Sequence, residues 1–240
     1  MTTAEWLAGA RISPEVAQLR PDYCCVLVTA TGLQPGPSDD VSEAMLVAAE
    51  REAAEAIGDG KVEDLPHVAA WREAFRAFGA KPQRTRNSAE ALLRRVPELP
   101  RINRLADAYN AVSVRLQVPL GGENLAAYSG PLQLIRATGD EEFGTLASGA
   151  EAIEHPEPGE VVWRDDAGVT CRRWNWRQCY RTRLTDETVD AVFICDVLDV
   201  EPGDAQARAE HVRDALLEAL RAVGPEATLD SRILGASDPS

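Results

Sequence analysis

Arg101–Asn124, RINRLADAYNAVSVRLQVPLGGEN, is the stretch on which the fold turns. Its spacing predicts one helix running into a Pro-Leu-Gly-Gly turn. Ile102, Leu105, Ala106, Tyr109, Val112 and Leu116 recur at steps of three and four, the stripe a helix buries against a core. Asn103, Asp107 and Asn110 form a second stripe beside it. Three polar side chains along an apolar face can line a pocket; they can equally be the solvated edge of an ordinary amphipathic helix. Pro119 stops the helix, and Gly121 and Gly122 let backbone N–H groups come close to a ligand.

Towards the N-terminus, Asn87 or Ser88 caps a short helix, AEALLRRV, and Pro66–Phe78 is another, with Val68, Trp71, Phe75 and Phe78 on one side. Tyr23–Thr31, YCCVLVTAT, reads as a buried strand, and a helix capped by Ser38, Asp39 or Asp40 runs from there to about Ile57. Residues 3–10 are a short helix or an edge segment. Towards the C-terminus, Pro131–Thr138 reads as a strand and VVWRDDAGVTCRRWNW as a hairpin around Asp166-Ala167-Gly168. Ala191–Leu198 is a strand, and Asp204 opens an amphipathic helix through Val223. Helices in the middle and strands mostly after them predict an α+β (mixed α/β) fold with sheets flanked by helices, not a doubly wound sheet. The expected division is residues 1–60 as an N-terminal strand–helix extension packed on the main domain, 61–200 as that domain, 201–234 as a C-terminal helix and 235–240 as a disordered tail.

The chain has 240 residues, 45% hydrophobic and 27% charged, a soluble globular balance with enough length for a sizeable core. It contains no apolar run of the roughly 18–20 residues a membrane span needs. MTTAEWLAGARIS lacks the basic-then-apolar pattern of a secretory leader, so a cytoplasmic protein with no membrane partner is expected. Five cysteines without a CxxC pair and three scattered histidines point to reduced, packed thiols and away from a zinc site.

The net charge is −14, which disfavours indiscriminate nucleic-acid binding, DNA included. Its distribution is uneven: residues 72–104 carry +6 and residues 164–183 carry +4 inside an otherwise acidic chain. Two such blocks can track phosphates if the fold joins them, or be solvated faces with local ion pairs.

No GxGxxG after a strand, GxxxxGK[ST], HExxH or GxSxG is present, and no histidine stands in a recognisable nucleophile context. Two features remain. On a strand, Trp174 and Trp176 share one face, while Arg173, Asn175 and Arg177 share the other, as a polar outer face or as donors flanking a carboxylate, phosphate or ribose. Asp196 is an acid within the apolar run VFICDVL; if buried, it needs a partner or a raised pKa, and would then mark a site.

At these residues the chain resembles the editing domain of the β subunit of phenylalanyl-tRNA synthetase, in its free-standing form. The resemblance rests on Trp71–Phe78 with Gly79, SAEALLRRV (88–96), LPRINRLADAYNAVSVRLQVPLGG (99–122), LIRATGDEEF (134–143), PGEVVWRD (158–165) and RRWNWR…TRLTDETVDAVFICD (172–196). It covers most of residues 66–200.

The resemblance implies a trans-editing deacylase that hydrolyses the ester of a mischarged tRNA with a positioned water, no cofactor and no metal. It implies water or substrate placement by Asn110, and close backbone and oxyanion donors from Gly121 and Gly122. Tyr109, Glu123 and Asn124 fall among the substrate contacts. Asn175 and Arg177 are expected at the terminal adenosine or α-amino group, and Asp196 at an unwanted hydroxyl. The partner is tRNA with its aminoacylated 3′ end, held by Arg84, Arg86, Arg94, Arg95, Arg172 and Arg173. Two departures stand out: Gly121 replaces the histidine two residues after the proline of the turn, and Tyr109 replaces a smaller hydroxyl residue. The substrate is then tyrosyl or another hydroxylated or non-standard aminoacyl group. The alternatives are a non-catalytic tRNA-binding or adaptor module, or an amino-acid-like small-molecule binder.

Overall fold

From the N-terminus the chain forms a short helix α1 (Thr3–Gly9), entered through a Thr2/Glu5 capping box, a two-residue strand β1 (Arg11–Ile12) and helix α2 (Pro14–Leu19). The computed structural model describes residues 2–147 and 149–236. The apolar run after Tyr23 makes β2 (Cys24–Thr31), and Asp39 caps the long helix α3 (Asp40–Ile57) through the Val41 and Ser42 amides. Helices α4 (Pro66–Ala77), α5 (Ser88–Leu93) and α6 (Arg104–Leu116) follow. Then come β3 (Leu120–Asn124), β4 (Gln133–Arg136), β5 (Phe143–Ala147), β6 (Ala150–Glu154), β7 (Val161–Asp165), β8 (Gly168–Arg172), β9 (Arg177–Gln178) and β10 (Ala191–Val197). Helix α7 (Ala205–Val223) and strand β11 (Thr228–Gly235) complete the α+β architecture.

Four strands pair antiparallel in the order β11-β2-β10-β3. The central strands β2 and β10 are buried on both faces, which is why their sequences read as continuous apolar runs. Val26, Val28, Phe193 and Cys195 face α6 and α7, whose Val112, Val212, Leu216 and Leu220 cover that side. Leu27, Val192 and Ile194 face the other way, onto Trp71 and Phe75 of α4 and onto Leu134, Val161 and Trp163 of the second sheet. That sheet has the order β1-β4-β7-β8-β9, parallel only between β1 and β4. The β5–β6 hairpin covers its outer face over Phe143, Val162 and Val169. Buried His67 ties α4 to both neighbours: its Nδ1 donates to Gln117 O at 2.9 Å and its Nε2 accepts from Leu198 N at 3.0 Å. Burial lowers its pKa to about 4.

Several expectations need correction. The 201–234 segment is not helical throughout: α7 ends at Val223, and Thr228–Gly235 adds an edge strand to β2. Of the expected disordered tail, Gly235 belongs to that strand and Ala236 N donates to Tyr23 O at 2.9 Å; residues 237–240 lie outside the described residues. Gly121 and Gly122 lie in β3, not in a turn, because β10 offers an edge with which they pair. Trp174 and Trp176 are not on a strand: Arg173–Trp176 is the turn joining β8 to β9. Ile102 precedes α6 and is exposed, so the apolar stripe of that helix begins after it.

Candidate functional site

A cavity of about 300 Å³ opens between the two sheets and α6. Its buried wall includes Asn110, Trp163, Trp174, Asn175, Ile194 and Asp196, and its exposed rim carries Arg95 and Ile102. Of the polar stripe on α6, only Asn110 reaches it. Asn103 caps the helix, its Oδ1 accepting from Ala106 N at 2.8 Å. Asp107 is wholly buried, accepting from Ile102 N at 2.9 Å and from the Ser42 hydroxyl at 3.3 Å. Asn110 is 94% buried and makes no side-chain hydrogen bond among the described residues, so its amide is uncommitted in the cavity wall. Tyr109 lines the same wall, its ring 5.7 Å from that of Phe193.

Asp196 enters from the C-terminal end of β10, two residues beyond Ile194 on the same face. Its Oδ1 accepts from the Tyr23 hydroxyl at 2.5 Å and its Oδ2 from Nδ2 of Asn175 at 3.1 Å. Burial pushes its pKa up to about 7, against the opposing pull of those two donors. Glu123 on β3 is the second buried acid of the cavity. Its carboxylate accepts from the Tyr128 hydroxyl at 2.6 Å and from Gln178 Nε2 at 3.3 Å, and burial raises it too to about 7.

The turn carrying Trp174 and Asn175 is held in an unusual shape: Arg173 and Trp174 have φ of 49° and 67°, left-handed values uncommon for side chains of that size. Glu160, 3% exposed, supports it by accepting from Arg172 Nε at 2.9 Å, Arg172 Nη2 at 2.8 Å and the Arg173 amide at 3.1 Å. Trp174 N donates to Val161 O at 2.7 Å, and the Asn175 carbonyl accepts from Ser88 N at 3.0 Å. Trp174 thereby swings into the core beside Trp71, and Asn175 turns onto Asp196.

The strand explains the glycines. A Cβ on Gly121 would stand 2.7 Å from Gln178 Nε2; one on Gly122 would stand 2.7 Å from Leu184 Cδ1 and 3.1 Å from both Phe193 and Tyr109. Gly121 borders the cavity. Leu125 N donates to Asp190 O and Asp196 N to Pro119 O, so antiparallel alternation commits the Gly121 N–H to Ile194 and turns that of Gly122 to the outer edge of β3. There the Gly122 carbonyl accepts from Gln178 Nε2 at 3.1 Å. Asn124 lies farther along β3, capping the next turn through Ala126 N at 3.1 Å.

The arginines divide. Arg172 is an internal tie: its side chain is 8% exposed and bridges Glu160 and Glu154. Arg173 lies 3.5 Å from Glu160 and stacks on Trp176. Arg177 pairs with Glu154 and stacks on Trp176 and Phe143. Arg94 pairs with Glu63 and Glu90, and Arg86 is 3.7 Å from Glu90. Arg84 and Arg95 are exposed and form no ion pair among the described residues.

Sequence reasoning missed Tyr23, Ser88, Trp163 and Gln178. Nothing local marks Tyr23, which meets Asp196 only through strand pairing. Gln178 carried a faint signal, following Trp174 and Trp176 at the same two-residue step.

The pattern of the B3/4 domain family matches residues 70–221. No curated protein matches the chain. Among solved structures, an N-terminal fragment of the phenylalanyl-tRNA synthetase β subunit from Pyrococcus horikoshii is similar at 11% identity and a TM-score of 0.46. The match covers 92% of this chain and 49% of that one.

Proposed function

Because the chain belongs to the B3/4 domain family, we propose that it is an aminoacyl-tRNA deacylase acting in trans on a mischarged 3′ end. The observation that carries this reading is the convergence of uncommitted Asn110 with two buried acids, Glu123 and Asp196, on one cavity. Its volume of about 300 Å³ suits one aminoacyl group, at the low end of the roughly 300–1,000 Å³ of small-molecule sites. The Asn110 amide holds the water or the ester carbonyl. Water oxygen bonds to the carbonyl carbon, the bond to the ribose oxygen breaks, and the ribose oxygen leaves as a hydroxyl. Glu123, with a pKa of about 7, accepts the water proton and returns it to the leaving oxygen. Arg95, exposed at the rim, contacts a phosphate of the 3′ end. No covalent nucleophile is required.

The test is a panel of mischarged tRNAs incubated with the purified chain and scored for ester loss. At least one hydroxylated aminoacyl-tRNA should be cleared, and Asn110→Ala should slow that clearance about 100-fold with tRNA affinity nearly unchanged. Full activity of the variant removes Asn110 from the site. The ion pairing of Arg94, Arg172 and Arg177 favours a second reading, an amino-acid-like small-molecule binder. Binding of free amino acids without measurable tRNA affinity would select it.

A further inference from the structure

Gln178 comes into the cavity wall from β9, half-buried. Its Nε2 donates to the Gly122 carbonyl at 3.1 Å and to Glu123 Oε1 at 3.3 Å. That reach depends on Gly121, where a Cβ would stand 2.7 Å from the same nitrogen. A backbone carbonyl accepts and never donates, so the amide cannot turn over without setting Oε1 against the Gly122 oxygen. The orientation is therefore fixed whether or not Glu123 carries a proton.

Gln178 Oε1 is left as an acceptor with no hydrogen-bond partner among the described residues, and it is open to solvent where packing closes off Asn175 Oδ1. Asn110 differs: with neither atom of its amide held, it can turn a donor or an acceptor to a ligand. Gln178 offers an acceptor only, and so discriminates between ligands that carry a donor at that place and ligands that do not.

The surrounding charges decide which donor it takes. Glu123 and Asp196 are buried acids of the cavity wall. Of the two lining arginines, Arg177 is paired with Glu154 and Arg95 stands at the exposed rim. An anion at this depth would meet two acids and no unpaired cation among the described residues, whereas an ammonium is drawn by either acid when it is ionised.

We infer that Gln178 Oε1 accepts from the α-ammonium of the aminoacyl group, and that the cavity takes esters whose α-amino group is free while turning away N-blocked ends such as peptidyl esters. This rests on the reading of the cavity as an aminoacyl site. Acylation of that nitrogen removes its charge and leaves one N–H where there were three.

The probes are non-hydrolysable 3′-amido adenosines bearing a seryl or a tyrosyl group, each also made without its α-amino group and with that group acetylated. They are titrated calorimetrically against the unmodified chain, Gln178→Met and Gly121→Ala at about pH 6.5, below the roughly 7.7–8.0 of an α-amino group. In the unmodified chain at least one free-amino probe should bind about tenfold or more tighter than its desamino and acetylated counterparts, the effect of one charge-assisted hydrogen bond. Gln178→Met should bring that ratio close to one. Gly121→Ala, which keeps the glutamine but pushes its amide aside, should lower the ratio too, and it decides if Gln178→Met does not fold. If neither variant folds, the ratio in the unmodified chain decides alone. Equal binding of free-amino and desamino probes by the unmodified chain, or a ratio that persists in folded Gln178→Met, overturns this inference and leaves the aminoacyl reading standing. Failure of every probe to bind overturns both.

Discussion

Asp196 shows how a single position couples the stability of this protein to its site. Its pKa is raised from 3.8 to about 7 by burial, so the folded chain holds a proton there that the unfolded chain has released. The associated stability is fully present below the unfolded value and lost as pH rises through about 7. Asp196→Asn removes the ionisation. Its stability relative to the unmodified chain should therefore improve by about 1–4 kcal/mol between pH 4 and pH 8, measured by urea unfolding. A difference that does not change with pH would show that the carboxyl is not held protonated. Glu123 carries the same sign, so Glu123→Gln should show the same trend. Gly122 is a residue-scale constraint of a different kind. Gly122→Ala must displace Leu184, Phe193 or Tyr109 and should destabilise the fold by about 1–3 kcal/mol. At Gly121 the obstacle is the flexible end of Gln178, so Gly121→Ala should cost less, though it moves Gln178 off Glu123.

Among the elements, the β8–β9 turn decides the site. The alternation of Arg173-Trp174-Asn175-Trp176-Arg177 looks like a strand, and period-two patterning has no means of showing that Glu160 gathers the Arg172 guanidinium and the Arg173 amide into a turn. Glu160→Gln leaves a buried arginine poorly compensated and should lower stability by about 3–5 kcal/mol in denaturant unfolding. It should also loosen Asn175, lowering activity in the folded fraction. A Glu160→Gln protein of unchanged stability would mean that the Trp174 and Ser88 contacts hold the turn without Glu160. Helix α6 was legible because a thirteen-residue amphipathic pattern closed by Pro119 has few other outcomes. Which of its polar residues faces the cavity was not legible: Asn103 and Asp107 spend their side chains on local amides, and only packing reveals that.

For the molecule as a whole, the basic block of residues 72–104 is largely neutralised. Arg72, Arg86 and Arg94 converge on the buried Glu90, Arg101 pairs with Glu43 and Glu50, and Arg104 with Asp39. Few arginines of this block remain for phosphates, so on the proposed tRNA-binding role affinity should fall with salt along a shallow slope. Arg95→Glu should weaken binding and reduce that slope by about 1, whereas Arg94→Glu should mainly cost stability. A steep slope unaffected by Arg95→Glu would remove Arg95 from the proposed RNA contact.

Local periodicity, propensity and composition sufficed for the α+β class, for buried strands at Tyr23–Thr31 and Ala191–Leu198 (observed at Cys24–Thr31 and Ala191–Val197), for the helix observed at Arg104–Leu116 and for the uneven charge. Folding in three dimensions was needed to add β11 to the sheet beside β2, to bring Tyr23 to Asp196 across 173 residues of chain, and to pair Arg72, Arg94, Arg101 and Arg172 with acids. Those contacts join residues distant in the chain, and their energy comes from burial and geometry that no local window contains.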